Sequence, residues 1–518
     1  MESLPDWLTP LPDAESMRAV DRWAIEERGV ASLELMERAG AGVARTVERV
    51  SPDGPVAVVC GKGNNGGDGL VVARLLRQAG REVEVVCSSP PEEFSGDALE
   101  NLKRLEGDPP LALSAEGSTG ARIAERFERV TVVVDALLGT GFEGEPRGVM
   151  VEAIDRVNEA GAPVVSVDVP SGVDASTGVV RGRAVRAAVT VTFHAAKPGL
   201  WIRPGKAHAG SVETLDIGIP RGAPGAAEVG LLERSVLETL PRRGASSTKF
   251  SSGHVLVVGG SRGLTGAPRM CAHASMRAGA GYVTAYVPVS LQEILATAGP
   301  PEMMTRGLAE DADGLTAESV AAVLRELRPG VALALGPGLG RADGAFVFAR
   351  ALARQAAVAL VLDADGLNAH AGHLGELAMR EAPSVLTPHA GELGRLLGID
   401  SQEVDRERLK HVRSAAELAS ATVVLKGDDT LIADSSGRVA VSPGGAPALA
   451  TAGTGDVLTG VIAALLAQGL DAFRAAAAGV WLHAAAGREA ARREGVAESV
   501  VASDVIAALP AARAGAGA

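Results

Sequence analysis

Cysteine, basic charge and long apolar runs are all scarce in this chain of 518 residues. Only Cys60, Cys87 and Cys271 are present, an odd number with no C-x-x-C pair. That supports neither a disulfide framework nor a thiolate zinc site, and it fits a reducing, cytoplasmic setting. Lys and Arg together number 50 against 63 Asp and Glu, a formal charge of −13. An acidic chain repels phosphate backbones, so no nucleic acid partner is expected. Small phosphorylated ligands stay open, because helix N-termini bind anions whatever the net charge. The longest apolar stretch, Val457 to Leu470, is short for a bilayer span and is followed by Asp471 and Arg474. A buried helix is expected there, and no membrane association. Met1 to Asp13 carries Asp6 and Asp13 and lacks an apolar h-region, so it does not read as a signal peptide, and no lipidation motif is seen.

Hydrophobic residues at 47% and charged residues at 22% place the chain among globular proteins rather than disordered ones. Its length exceeds one ordinary core. The 64 glycines cluster in motifs without a fixed period, which excludes collagen-like and solenoid architectures. Short β-branched runs alternate with Ala/Leu/Arg-rich helical stretches throughout. Strands are expected at Val56–Cys60, Glu82–Cys87, Thr131–Asp135, Val164–Asp168, Ala188–Phe193 and Ser211–Ile217, with helices at Ala14–Glu27, Ser32–Val50, Gly69–Gln78 and Val149–Ala160. This alternation is the mark of an open α/β sheet with helices on both faces. A Pro/Gly/Ala-rich linker follows Ile219. The alternation then resumes at His254–Val258, Tyr282–Val287, Val331–Leu335, Ala359–Asp363, Ser384–Thr387, Thr422–Lys426, Thr430–Ala433 and Arg438–Ser442. Two α/β domains are expected, 1–222 and 223–518.

In the first half, Gly61-Lys62-Gly63-Asn64-Asn65-Gly66-Gly67-Asp68-Gly69 joins a strand to a helix. Gly61, Gly63 and Gly66 satisfy G-x-G-x-x-G. The next strand, however, ends Val86-Cys87-Ser88 without the acid that a Rossmann ribose site needs, and no Gly-Lys is followed by Ser or Thr as in a Walker A loop. What remains is a turn whose N–H groups can wrap a phosphate, or simply a tight strand-to-helix turn. Asp135 and Asp168 end two further strands, each followed by a Gly-rich loop. Strand-end acids often cap helices, but in a parallel sheet these would converge at the ligand-binding edge. Lys197 reads either as a substrate or phosphate contact or as a solvated loop lysine.

GKGNNGGDG, VDALLGTGFEGE, VDVPSGVD and FHAAKPGL resemble the NAD(P)H-hydrate epimerase family (the YjeF N-terminal domain), as does AVDRWAIEERGVASLELMERAG, although Arg38 stands where that family usually has Asn. The resemblance implies a Rossmann-like three-layer domain. It implies a hydrated-nicotinamide ligand held by Asn64, Asn65, Gly66, Gly67, Asp68, Gly139, Thr140, Gly141, Phe142, Glu143, Gly144, Glu145 and Asp168. It also implies a potassium ion near Asn65, Asp135 and Ser171, an oxygen donor set that suits a hard cation. Asp168 is the candidate acid/base.

In the second half, Gly453-Thr454-Gly455-Asp456 opens an Ala/Leu/Val-rich stretch. Its N–H groups would form an anion hole, with Asp456 placed to take a proton from an attacking hydroxyl. The plainer reading is an N-cap Asp on a buried helix. With HVLVVGGSRGLTGAPRMCA, ALGPGLG, LTPHAGELGRLL and VVLKGDDTLIA, the motif resembles the ribokinase-like superfamily and within it the ADP- or ATP-dependent NAD(P)H-hydrate dehydratase family; Ala452 and Phe250 stand where Gly is usual. The resemblance implies hydrate contacts at Ala267, Gly338, His389 and Asp456, and nucleotide contacts at Lys426, Gly427, Asp428, Asp429, Thr430 and Gly455. It implies ADP as phosphoryl donor, magnesium on the phosphates, NADHX and NADPHX as substrates, AMP and phosphate released, and a homo-oligomer. Asp363 and Asp365 resemble a strand-end segment of the same superfamily or an ordinary turn. The competing readings are a ribokinase-like small-molecule kinase fused to a regulatory nucleotide-binding domain, and a first half that is a non-catalytic sensor or scaffold.

Overall fold

Alternating apolar strands and amphipathic helices assemble into two α/β units in the computed structural model, which describes residues 4–113, 123–124, 126–224, 227–311 and 314–515. One unit is centred on Pro10–Val229; the other runs from Gly230 onward and includes Pro5–Thr9. The expected linker after Ile219 falls partly on residues 225–226, outside the described residues.

The first unit is built on seven strands, all parallel, in the order Leu111–Ala112, Val83–Cys87, Val56–Cys60, Val132–Ala136, Val164–Val167, Val189–Phe193, Ser211–Leu215. Both faces of the central strand Val56–Cys60 are apolar, as a sheet covered on two sides requires. Val56 and Val58 belong to one cluster with Leu70 and Val72 of the helix Asn64–Gln78. Ala57 and Val59 belong to the other, with Ile154 and Val157 of the helix Val149–Glu159. The result is three layers. The strand order reverses between Val56–Cys60 and Val132–Ala136, whose ends are level, with Cys60 opposite Ala136. A ligand crevice belongs at such a switch point.

Two expected boundaries move for local reasons. The helix expected from Gly69 begins at Asn64, because glycines let its first turn press onto the strand ends. A Cβ on Gly66 would lie 1.7 Å from the Gly61 carbonyl oxygen. The strand expected to end at Asp168 stops at Val167, since Asp168 turns into the left-handed region at φ 65°. The long first helix is α-helical over Ala14–Arg22 and widens to a π-turn over Trp23–Glu27. Arg38 reaches the Ile217 carbonyl at 3.1 Å.

In the second unit an eleven-stranded sheet runs Leu8–Pro10, Val229–Leu232, Val439–Val441, Leu431–Ala433, Thr422–Leu425, Ser384–Leu386, Ala359–Leu362, Val331–Leu335, His254–Val258, Tyr282–Pro288, Met304–Leu308. The seven strands from Thr422–Leu425 to Met304–Leu308 are parallel, and Leu431–Ala433 and Val439–Val441 follow antiparallel. The switch point lies between His254–Val258 and Val331–Leu335. The apolar stretch after Asp456 is the helix Thr454–Ala467, buried over nearly its whole length. It approaches the helix Gly266–Arg277 so closely that a Cβ on Gly460 would sit 2.1 Å from the Cys271 carbonyl oxygen. No helix among the described residues is long and apolar enough to cross a membrane.

Candidate active sites

Beyond the ends of Val164–Val167 and Val189–Phe193, the partly buried Asp168 pairs with the fully buried Lys197. Lys197 Nζ donates to Asp168 Oδ1 at 2.6 Å, to Thr192 Oγ1 at 2.8 Å and to the Phe193 carbonyl at 3.1 Å. Its three donors are thereby used, and the residue is 1% exposed. Lys197 is neither a solvated loop lysine nor placed to bind a phosphate; it holds Asp168. Thr192 Oγ1 donates to the same carboxylate at 3.1 Å, and both the amide and the hydroxyl of Thr140 donate to its other oxygen. Burial alone would raise Asp168, but the Lys197 charge and these donors outweigh it and hold the carboxyl below its usual range.

Asp68 behaves oppositely. It lies buried in the first turn of the Asn64–Gln78 helix, and burial, reinforced by the charges of Asp168 and Asp21, pushes it well above the usual range. Asp21, exposed on the helix Ala14–Arg22 but partly desolvated by its neighbours, is also raised, against the pull of Lys197. Three carboxyls therefore surround one lysine, and their affinities for a proton are driven apart. Asp21 lies in the segment AVDRWAIEERGVASLELMERAG, where sequence reasoning assigns it no role, and its position in the fold brings it to this cluster.

Asn65 stacks over the loop that follows the next strand, where a Cβ on Gly139 would lie 2.8 Å from Asn65 Oδ1. Thr140, Phe142, Glu143 and Gly144 line a cavity of about 440 Å³ together with Asp174, Ala175, Ser176, Thr177 and Arg181. Arg181 and the Ala175–Thr177 turn escaped sequence reasoning, since loop residues with no strand-end spacing give no signal. Gly141 and Glu145 share that loop, and Glu145 packs toward Gly182. Gly67 faces Met36, whose sulfur would lie 2.7 Å from an added Cβ.

Asp135 is fully buried. It accepts from Ser171 Oγ at 2.5 Å, Ser171 N at 2.9 Å and Ser166 Oγ at 2.9 Å. Burial still raises it, and the groups opposing that rise are neutral donors. A buried carboxylate so placed, with the Asn65 and Ser171 oxygens nearby in the fold, is a donor set that fits a monovalent cation. Asn65 Nδ2 is itself buried with no hydrogen-bond partner.

The second unit gathers its chemistry around Asp363. Its Oδ1 accepts from Lys426 Nζ at 3.0 Å and Thr387 Oγ1 at 2.9 Å, and its Oδ2 from Thr459 Oγ1 at 2.8 Å. Burial would raise this carboxyl, but Lys426 and the hydroxyls lower it. With every oxygen so engaged, Asp363 fixes Lys426 and the helix rather than presenting a carboxylate. A Cβ on Gly455 would lie 3.6 Å from Lys426 Nζ and 3.9 Å from Asp363 Oδ2, so the helix start and the lysine share one place. Asp456 stands in that first turn. Burial, then the negative charges of Asp363, Asp365 and Glu392, against Lys426, push it up to about 7. The plainer N-cap role is not what it does: Gly453 holds the cap position, at φ 89°.

His389 is the N-cap of the helix Ala390–Leu397, its Nδ1 accepting from Gly391 N at 3.0 Å. Burial lowers it, so the imidazole is neutral. Gly338, at φ 64°, brings its backbone to Ala267, 3.2 Å from an added Cβ to the Ala267 Cβ. Asp365 holds the intervening loop through Gly340 N at 3.0 Å. In the Lys426–Thr430 loop, Thr430 Oγ1 donates to the Gly427 carbonyl at 2.7 Å, and the Asp428 carbonyl accepts from Gly445 N at 3.0 Å. Asp429 is fully buried and accepts from Arg408 Nε at 3.0 Å. Its side chain shapes the loop from beneath.

Residues 32–199 match the family described as YjeF-related protein N-terminus, and residues 255–511 match NAD(P)H-hydrate dehydratase. A bifunctional NAD(P)H-hydrate repair enzyme of Moorella thermoacetica is 42% identical over 512 residues, covering 96% of each chain. One of Salinibacter ruber is 43% identical, covering 97% of this chain and 95% of that one. Among solved structures, the ADP/ATP-dependent NAD(P)H-hydrate dehydratase of Bacillus subtilis co-crystallised with ATP and Mg2+ is 28% identical, covers 54% of this chain and 96% of its own, and gives a TM-score of 0.46. With that identity sustained over nearly the full length, this chain belongs to the family of bifunctional NAD(P)H-hydrate repair enzymes.

Proposed function

We propose that the first unit interconverts the R and S hydrates of NADH and NADPH, and that the second dehydrates the S hydrate at the expense of ADP. Epimerisation inverts the hydroxyl-bearing carbon beside the ring nitrogen. As the nitrogen lone pair expels the hydroxyl, that group takes one proton and leaves as water; as water returns to the opposite face, one proton is released. A proton donor and a proton acceptor are both required. Asp168, held ionised by Lys197, suits the acceptor. Asp68, pushed up beside it, suits the donor. Asn64–Asp68 and Gly139–Glu145 would hold the dinucleotide. Asn65, Asp135 and Ser171 would hold potassium, which would supply fixed positive charge to the site.

Dehydration must remove hydroxide, a poor leaving group. Transfer of the β-phosphoryl of ADP to the hydroxyl oxygen gives AMP and a phosphate ester. Loss of that phosphate, with a ring proton, restores the dihydropyridine. Asp456 takes the hydroxyl proton, and the Gly453–Gly455 amides with Lys426 stabilise the transferring charge. Ala267, Gly338 and His389 would seat the hydrate, and Lys426–Thr430 the nucleotide. Magnesium would supply positive charge against the phosphates and would find few protein ligands here, since Asp363 is already engaged by Lys426, Thr387 and Thr459.

The observation that carries this reading is the Asp456 carboxyl in the opening turn of a buried helix, beside the Lys426–Asp363 pair. The protein, incubated with mixed hydrate epimers, should restore the reduced-nicotinamide absorbance fully with ADP and not at all without it. A stable phosphorylated product, with no absorbance regained, would instead establish a kinase.

A further inference from the structure

Glu403, Glu407 and His411 stand four residues apart, and their ligand atoms lie within 4.8 Å of one another. Glu403 belongs to the helix Ser401–Arg406 and His411 to the helix Arg408–Ala419. Glu407 is the residue between, its backbone bent to φ −127° and ψ 51°. Helical hydrogen bonds nevertheless carry through the bend, Glu407 N to the Glu403 carbonyl at 3.2 Å and His411 N to the Glu407 carbonyl at 3.1 Å. The three side chains therefore stack on one face.

Acidic groups on a helix are common, and on their own they mean little. The imidazole is what sets this cluster apart. His411 is 8% exposed, and its Nε2 is buried without any hydrogen-bond partner. That nitrogen points at the carboxylates, 3.9 Å from Glu403 Oε1. A buried ring nitrogen left unsatisfied is costly unless a ligand meets it. In its neutral form the imidazole offers a lone pair there. Lys410 Nζ sits 2.6 Å from Glu407 Oε2 and is itself mostly exposed. Such a surface pair yields readily to a divalent ion.

We infer that Glu403, Glu407 and His411 form a binding site for one divalent transition-metal ion of the zinc and cobalt class. Two carboxylates and a neutral imidazole suit those ions and disfavour magnesium, which prefers oxygen alone and keeps its waters. The site would staple the bend between the two helices. Arg408, one residue past Glu407, holds the Leu425 and Lys426 carbonyls and Asp429, so the staple grips the segment that anchors the Lys426–Thr430 loop.

The test is calorimetric titration of the full-length protein, stripped by chelation, with Zn2+ in excess Mg2+, alongside the absorption spectrum with Co2+. One saturable ion per chain is expected, weakened at least tenfold in both Glu403→Gln and His411→Ala. Glu403 is partly exposed, so its variant tests the site even where the buried histidine's replacement unfolds the helix. Absence of a saturable site, or a site that Glu403→Gln weakens less than tenfold, overturns the inference.

Discussion

Replacing Asp456 with Asn removes a charge that the fold holds at a cost, and the structure sets the size of that cost. The carboxyl is pushed from 3.8 to about 7 by burial and by the charges of Asp363, Asp365 and Glu392. At about 1.4 kcal/mol for each unit, a shift of roughly three units corresponds to about 4 kcal/mol as a ceiling. Because the folded-state value lies above the unfolded one, the folded chain binds more protons between pH 4 and 7. Stability from this group is thus fully present below pH 4 and lost as pH rises through 7. Asp456→Asn has no such slope. The variant should match the parent near pH 4 and exceed it at pH 8, with amide exchange in the helix Thr454–Ala467 slowed there by up to about a thousandfold. Hydrogen exchange at the two pH values reads this directly, within the unit that carries the substitution. The same variant should lose dehydration and keep epimerisation. Equal exchange in parent and variant at pH 8 would refute the reasoning, since the carboxyl would then be neither desolvated nor crowded by charge. Loss of both activities in a folded variant would refute the separation of the two sites.

Lys197→Met leaves Asp168 buried without its cation, which should destabilise the first unit by about 3–5 kcal/mol. The Asp168 carboxyl is held low in the parent, so that difference should be present at pH 7 and shrink as pH falls below about 4; urea unfolding across that range checks it. The pH limb of epimerisation governed by Asp168 should also move upward. Arg408→Met removes the buried partner of Asp429 and the donor to the Leu425 and Lys426 carbonyls. It should raise the KM for ADP at least tenfold while epimerisation stays unchanged, as steady-state kinetics of the two reactions would show.

Which parts of this molecule could be read before folding depends on whether the signal is local. The strand Val56–Cys60 and the helix Thr454–Ala467 are legible because apolar patterning and glycine spacing are properties of contiguous residues. Asp168, Asp363 and Asp456 are legible as acids at element ends, though their roles are not. Asp363 and Asp456 look alike in a string of letters. One is lowered by a lysine 63 residues along the chain, and the other is raised by the first. The strands Leu8–Pro10 and Val229–Leu232 escape because they are short and complete a sheet whose other strands lie far along the chain. The start of the Asn64–Gln78 helix escapes for a different reason. Glycines argue against helix by propensity, yet here each missing Cβ is what lets the helix meet the strand ends. A Cβ on Gly69 would lie 2.5 Å from the Ala136 Cβ, as one on Gly66 would meet Gly61. Tertiary contact overrides the local preference there. The same logic locates Lys197. An amphipathic cation in a loop reads as solvated, and only the convergence of Thr192, Phe193 and Asp168 turns it into a fully buried charge beside the site. Function in this chain therefore rests on pairings of distant charges, while the scaffold that brings them together rests on neighbours.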